Sequence, residues 1–208
     1  RDDPDPWLVA HELCTRGRHD AAGAFAKAAP RIDVEKLPGY VASRHAVKED
    51  TAAQERLSEA NAALVAGDAE KALALTGDEA PVDIITIRLA YGRGLALRGL
   101  RRLEESSSVF RPAAEAALRL GWLRMAASAF DEDARNAYVR SDYKGALAGC
   151  ERKLSVEEAR NNRTEAANAL GNIGLMHYCL GNCAEALSCY ERALKVKEEL
   201  RDRAGMAA

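Results

Sequence analysis

Small and apolar residues recur through much of the chain at a fixed step of 40 residues. Four columns of positions share this step: Gly94, Ala134 and Gly174; Leu103, Tyr143 and Cys183; Ser106, Ala146 and Ala186; and Phe110, Cys150 and Tyr190. Within each unit, the second small residue and the larger residue four positions after it share one helical face. The pattern predicts a repeated helix pair, with small residues where its two helices cross.

Polar or glycine-containing stretches separate the predicted helices of each unit. They begin at Leu100, Arg140 and Gly181, and stretches of this kind end one helix and cap the next. Runs of β-branched residues are nearly absent, and the one candidate strand is Asp83-Ile-Ile-Thr-Ile. Because that run leads straight into Arg88-Leu-Ala-Tyr, it predicts the start of a helix. The whole pattern therefore favours an all-α fold.

The segment 170–194 resembles a tetratricopeptide repeat. Gly174, Ala186, Tyr190 and Ala193 match the small–small–large–small signature of that family. Common repeats of the family are about 34 residues long, and the longer step resembles the variant found in cargo-binding and polarity scaffolds and in many bacterial signalling proteins. The resemblance implies a right-handed α-α superhelix, which is a solenoid of antiparallel helix pairs.

The match is uneven along the chain and predicts two regions. For residues 1–49 we expect a degenerate helix pair followed by an irregular linker or one extra helix, because Pro38-Gly39 breaks any helix there. The repeat array is expected over residues 50–208, with units at about 50–80, 82–120, 122–160 and 162–200 and the start of a further unit at 203–208. Residues 203–208 repeat the start of the preceding unit, so we expect the natural protein to continue.

Charge and composition narrow the classes of partner. The chain carries 30 Lys and Arg against 32 Asp and Glu, which gives no reason to propose a nucleic-acid surface. No apolar run approaches the length of about 20 residues that spans a bilayer, so no membrane partner is expected. Five cysteines, an odd number, without a secretory leader favour free thiols in a reducing cytoplasm.

The sequence offers no catalytic constellation, metal site or cofactor site. Gly92-Arg-Gly lies inside a predicted helix with no strand before it, so it does not indicate a phosphate-binding loop. His177 and Cys179 are two positions apart on one helix and therefore cannot pair as base and nucleophile. Cys150 and Cys183 occupy apolar columns, where we expect packing and not metal binding. We therefore expect no enzyme activity from this region.

The family resemblance also assigns a binding groove to the first helix of each pair. Positions two, five, six, nine and twelve of that helix face the groove in the family, and the first small residue is position eight. Carried over to this chain, these positions include ten candidates: Arg88, Tyr91, Arg98, Asp131, Glu132, Arg135, Tyr138, Asn168, Asn172 and Tyr178. Asn pairs with peptide backbones, Tyr gives a rigid contact and Arg binds carboxylates. The alternative is a solvated helix face with ordinary charges.

These features predict a non-catalytic scaffold that binds a peptide or a helix, which includes a segment of the same protein. The alanine-rich repeats also resemble the tetratricopeptide region of bacterial proteins with a caspase-like CHAT protease domain, which would make this region part of a larger signalling or effector protein. A rival reading is the sensor region of an ATPase-type transcriptional regulator. A third is self-association, because an open C-terminal unit exposes an apolar face.

Overall fold

The computed structural model describes residues 51–200, and there the chain forms only helices joined by turns and short loops. The helices are α1 (Thr51–Val65), α2 (Ala69–Thr76), α3 (Ile84–Gly99), α4 (Leu103–Arg119), α5 (Leu123–Val139), α6 (Tyr143–Ala159), α7 (Arg163–Cys179) and α8 (Cys183–Glu199). The predicted all-α class is confirmed. The expectations for residues 1–49 and 203–208 lie outside the described residues.

The chain divides into two compact units, Arg1–Gln54 and Glu55–Ala208. In the second unit each helix from α2 to α8 packs mainly on its neighbours in sequence, which is the organisation of a solenoid. The core is rich in alanine, as helices that approach closely require, and it includes the fully buried ring of Phe110. Among residues 51–200, no helix combines the length and the apolar character needed to cross a bilayer.

One type of three-residue turn joins the helices from α3 to α8. The middle residue of each turn adopts a left-handed conformation: Arg101 (φ 63°), Gly121 (73°), Ser141 (60°), Asn161 (54°) and Gly181 (82°). The third residue of the turn bonds to the end of one helix and precedes the first residue of the next. Asp142, for example, donates its N–H to the carbonyl of Ala137 at 2.9 Å, and its carboxylate accepts the N–H of Gly145 at 2.9 Å. A 17-residue helix and this turn, taken twice, account for the 40-residue step.

The regular spacing begins at α3. The preceding helix, α2, has only 8 residues, and a loop separates it from α3. Asp83 then caps α3, because its carboxylate accepts the N–H of Thr86 at 2.8 Å while the Thr86 hydroxyl accepts the N–H of Asp83 at 3.0 Å. The run that could have formed a strand therefore starts a helix, as predicted.

The small residues of the first column lie where two helices of a pair cross, in two different arrangements. A Cβ at Gly94 would lie 2.6 Å from the ring of Phe110, and a Cβ at Gly174 would lie 2.8 Å from the ring of Tyr190. In the pair between them the small residue is Ala134, and a Cβ at Gly149 of the facing helix would lie 2.9 Å from its methyl group. The glycine is thus on the first helix of two pairs and on the second helix of one.

Candidate binding groove

The first helices of the three regular pairs each present one face, and equivalent positions on these faces are 40 residues apart. Residues spaced by three and four positions share a helical face. We define the groove face as Arg88, Tyr91, Leu95 and Arg98 on α3; Ser128, Asp131, Glu132, Arg135 and Tyr138 on α5; and Asn168, Gly171, Asn172, Leu175 and Tyr178 on α7.

The carboxylates at the centre of the groove face form ion pairs with arginine and lysine side chains of the same chain. Arg98 of α3 forms an ion pair with Glu132 of α5. Arg135 lies 2.8 Å from a carboxylate oxygen of Asp131 and 3.4 Å from one of Glu132. The side chains of Asp131 and Glu132 are each only 12% exposed, so they face their partners in the chain more than the solvent.

A lysine from a second helix completes this arrangement. The ammonium of Lys153, on α6, lies 3.1 Å from Asp131 and 3.3 Å from Glu165 of α7. Burial lowers the pKa of Lys153, but the charges and hydrogen bonds of Asp131 and Glu165 together outweigh burial and raise it, so the side chain is a cation. The residues equivalent to Lys153 in the neighbouring pairs are Ala113 and Ala193. A lysine at a position that holds alanine in the other pairs is therefore the feature of the sequence that could have indicated these ion pairs.

We call these six residues the charge network: the cations Arg98, Arg135 and Lys153 and the anions Asp131, Glu132 and Glu165. Three positive and three negative groups balance. Tyr91 lies at the edge of the network, with its ring 5.4 Å from that of Phe110. Burial raises the pKa of Tyr91, Asp131 raises it further, and Arg135 and Arg98 oppose this. The structure thus brings five predicted groove residues together, but mainly as partners of one another.

Arg88, at the start of α3, is in a different situation. It is half-buried, and burial lowers its pKa. No ion pair joins Arg88 to another residue in the range 51–200. Of the three arginines predicted for the groove, Arg88 is therefore the one that forms no ion pair with a described carboxylate.

The remaining predicted residues form an open, uncharged surface on α5 and α7. Tyr178 is 64% exposed and Tyr138 is 42% exposed, although the Tyr138 ring also packs against Tyr143 at 5.9 Å. Asn172 is exposed and makes no hydrogen bond with another described residue. Leu175 lies on the same face of α7 as Asn172 and Tyr178 and is 36% exposed. Aromatic, aliphatic and amide groups in one exposed patch are suited to contact with a protein partner.

Gly171 lies in the middle of this surface and was not among the predicted residues. A Cβ placed on Gly171 would meet no described atom within 4 Å. Glycine in a helix interior costs about 1 kcal/mol relative to alanine. Packing against the residues that the structure describes therefore does not explain the glycine at this position.

A second exposed apolar surface runs along α8. We define the α8 face as Cys183, Leu187, Tyr190 and Leu194. Leu187 is 59% exposed and Leu194 is 43% exposed, whereas the equivalent residues of α6 pack against a core that includes α7. The prediction that Cys183 packs in the core is wrong, because no described helix covers this side of α8 and the thiol is exposed.

The described part of the chain holds no group of three or more His, Cys, Asp or Glu side chains placed to bind a metal ion. His177 lies near the amide of Asn182, at 3.5 Å between ring nitrogen and amide nitrogen. Cys150 is buried as predicted, and burial together with the charge of Asp131 raises the pKa of its thiol to about 11. A thiol with that pKa is protonated at neutral pH and is a poor nucleophile.

No family model and no curated protein matches the chain. Among solved structures it is similar to BtubC (BKLC) from P. vanneervenii, with a TM-score of 0.58 and 17% identity over 94% of this chain and 78% of that one. It is also similar to aspartyl phosphate phosphatase F from Bacillus subtilis, with a TM-score of 0.56 and 15% identity over 97% of this chain and 56% of that one. At such low identity the likeness shows the fold alone: the chain shares the tetratricopeptide-like helical-repeat fold of these proteins.

Proposed function

We propose that this region is a non-catalytic scaffold of the tetratricopeptide family that binds a protein partner on its groove face. The observation that carries the proposal is the open surface of α5 and α7, where Tyr138, Asn172, Leu175 and Tyr178 are exposed together. Solenoids present such surfaces as extended binding sites. Exposed tyrosines are typical of contact surfaces, since each offers a large rigid ring and a polar tip.

The partner is a peptide or helix, supplied by another protein or by a further segment of the same one. We place the region in a larger bacterial cytoplasmic protein of signalling or effector type, on the resemblance of its 40-residue step to such repeats. The larger protein is either one with a caspase-like CHAT protease domain or an ATPase-type transcriptional regulator. A neighbouring His/Cys protease domain in the complete gene supports the first. A phosphate-binding loop together with a DNA-binding motif supports the second.

A library of random linear peptides displayed on phage, panned against the full chain, tests the proposal. The test variant replaces Tyr138, Asn172 and Tyr178 with alanine, since none of these belongs to the charge network. The control replaces Lys144, Ser155 and Glu158, which are exposed on α6 away from the groove face, with alanine. Selected peptides should lose at least about tenfold in affinity for the test variant and keep it for the control. Equal affinity for both variants contradicts groove binding.

The α8 face favours a second candidate function, which is self-association. Its exposed leucines and Tyr190 form an apolar stripe on one side of a helix, and such stripes mark protein contacts. Light scattering over a concentration series should show a molar mass that rises with concentration. The double variant Leu187→Glu/Leu194→Glu should remain a monomer. A molar mass equal to that of the monomer at every concentration of the unmodified chain rules this function out.

A further inference from the structure

We infer that a cavity at the turns α3–α4 and α5–α6 binds a phosphate monoester through Arg101 and Arg140. The cavity has a volume of about 350 Å³, within the range of about 300–1,000 Å³ for small-molecule sites. None of its lining residues belongs to the groove face or the α8 face, so the site is separate from the proposed function. It is lined by three arginines, two glutamates and one leucine: Arg101, Arg102, Leu103, Glu104, Glu105 and Arg140.

Arg140 occupies a position that holds leucine in the other two regular pairs. The equivalent residues, 40 positions before and after it, are Leu100 and Leu180. The Arg140 side chain is only 24% exposed, and its Nε is buried without a hydrogen-bond partner among the described residues. A buried donor that has lost its water without gaining a partner weakens a fold. Stability therefore favours leucine at this position, and an anionic ligand would account for the arginine.

Arg101 is the middle residue of the turn before α4, where the backbone is left-handed. In the other turns of this type the middle residue is glycine, serine or asparagine: Gly121, Ser141, Asn161 and Gly181. A left-handed backbone disfavours residues with long side chains. The Arg101 side chain is exposed and forms no ion pair with another described residue. The turn thus carries a cation that its own geometry does not favour, and this cation lines the cavity.

The two carboxylates of the cavity leave two arginines for a ligand. Arg102 is engaged by Glu105, since its Nε and Nη2 donate to the two carboxylate oxygens at 2.7 and 2.6 Å. Glu104 is 87% exposed, and its nearest oxygen lies 3.7 Å from a guanidinium nitrogen of Arg140. Because so exposed a carboxylate gains little from an ion pair at that distance, Glu104 can turn into solvent when an anion enters. Arg101 and Arg140 then supply two positive charges.

Two arginines match a phosphate monoester in charge and in hydrogen-bonding geometry. This group carries about −1.5 to −2 charges at pH 7, which the two guanidiniums neutralise. Guanidinium groups also bind phosphate oxygens in a bidentate manner. A carboxylate brings only one negative charge and would leave one of the two arginines without a partner. Small metabolites and phosphorylated side chains share this chemistry, so the ligand class is defined by the phosphate group and the experiment distinguishes its two sources.

Isothermal titration calorimetry of the full chain with glycerol phosphate and with a phosphoserine tripeptide tests the site, and the tighter ligand identifies the source. Arg140→Leu and Arg101→Gly copy residues that other turns carry, so both variants should keep or raise the melting temperature. Each should lower the affinity for the tighter ligand at least about tenfold. The control is Arg124→Gln, which removes an exposed charge about 24 Å along α5 from Arg140 and should leave affinity unchanged.

Glu104→Gln gives a second readout that a structural role would not produce. Because Glu104 competes with the ligand for Arg140, this change should raise affinity about threefold. Glu158→Gln removes the same charge from an exposed position at the far end of α6 and should leave affinity unchanged. Affinity that persists in both arginine variants, or the absence of saturable binding of either ligand at millimolar concentration, overturns the proposal. An equal loss in Arg124→Gln would show a response to net charge alone and would overturn it as well.

Discussion

The pair α5–α6 and the pair α7–α8 share one backbone plan and use its groove positions in opposite ways. The contrast lies at three positions of the groove face and two of the second helices: Asp131 and Gly171, Glu132 and Asn172, and Arg135 and Leu175 on the former, and Cys150 and Tyr190, and Lys153 and Ala193, on the latter. In the first pair these positions hold most of the charge network, which the chain satisfies internally. In the second pair they are open or apolar. A repeat can thus either hold its neighbours in place or remain available for contact, and a few side chains decide which.

The charge network shows why one pair can fix the position of another. Lys153 of α6 contacts Asp131 on α5 and Glu165 on α7, so a single ammonium links three helices. Ion pairs that are largely buried add little net stability, but the loss of one partner leaves an uncompensated charge behind. We therefore expect the network to specify how α7 lies on α5 and α6 more than to increase overall stability.

The largest expected effect is that of Lys153→Ala, which leaves Asp131 with Arg135 as its only cation in the charge network. We expect this change to lower the free energy of unfolding by about 2–4 kcal/mol. The double variant Lys153→Ala/Asp131→Ala should be less destabilised than the sum of the two single variants, because the buried carboxylate is then also gone. Urea denaturation of the four proteins gives the coupling. Additive effects would show that the lysine and the aspartate do not depend on each other.

The next largest effect is the difference in stability between the variants Gly94→Ala and Gly174→Ala. Phe110 is fully buried and cannot move away from a new methyl group, so Gly94→Ala should cost about 2 kcal/mol. Tyr190 is 41% exposed on the α8 face and can turn outward, so the change at Gly174 should alter stability by less than about 1 kcal/mol. Thermal melting of both variants measures the difference. Equal losses would mean that Tyr190 is held as firmly as Phe110.

A smaller effect is expected where α4 meets α5. Asn136 is 1% exposed and donates its amide to the Ser106 hydroxyl at 2.8 Å, and that hydroxyl donates to the carbonyl of Gly94 at 2.7 Å. The equivalent residues one repeat later are Met176 and Ala146. Ser106→Ala should cost about 1–2 kcal/mol, because it leaves buried polar groups without their partner.

The double variant Ser106→Ala/Asn136→Met copies the later junction and is the control for this prediction. We expect it to recover part of the lost free energy of unfolding, since both polar partners are then replaced by apolar groups. Urea denaturation compares it with the single variant. A double variant as unstable as Ser106→Ala, or less stable, would show that the polar chain is needed for reasons other than its own pairing.

The smallest effect concerns reactivity and not stability. Cys183 is exposed, whereas Cys150 is buried with the pKa of its thiol raised to about 11. At this pKa, only about one Cys150 thiol in a thousand is ionised at pH 8. Alkylation of Cys150 should therefore be at least about a hundredfold slower than alkylation of Cys183. Mass spectrometry of the native chain after timed labelling with iodoacetamide measures both rates. Comparable rates would place Cys150 in contact with solvent.

The sequence predicted the helix pairs because their signals are local. The columns around Gly94 and Gly174 and the turns that begin at Leu100, Arg140 and Gly181 are repeated within the chain, and turn chemistry acts within a few residues. Whether Cys183 is buried or exposed was not predictable in this way, because burial of that column depends on a further helix packed on α8.

The candidate groove was less predictable, because its pairing is between helices. Positions carried over from a family indicate which face a side chain is on, but not whether another helix supplies its partner. Asp131 and Glu132 were therefore expected to meet a ligand, and the structure instead pairs them with Arg98, Arg135 and Lys153. Gly171 was not predicted, because the candidate positions were those whose side chains carry binding groups, and glycine has none.

The most direct test of the difference between the two pairs is an NMR titration of the full chain with a peptide selected from the phage library. The account predicts that the largest chemical-shift changes fall on amides of residues 168–178 and on Tyr138. Amides of Tyr91, Arg98 and Glu132, whose side chains are already engaged within the chain, should change little. Changes centred on α3 and the charge network, with α7 unaffected, would contradict the account.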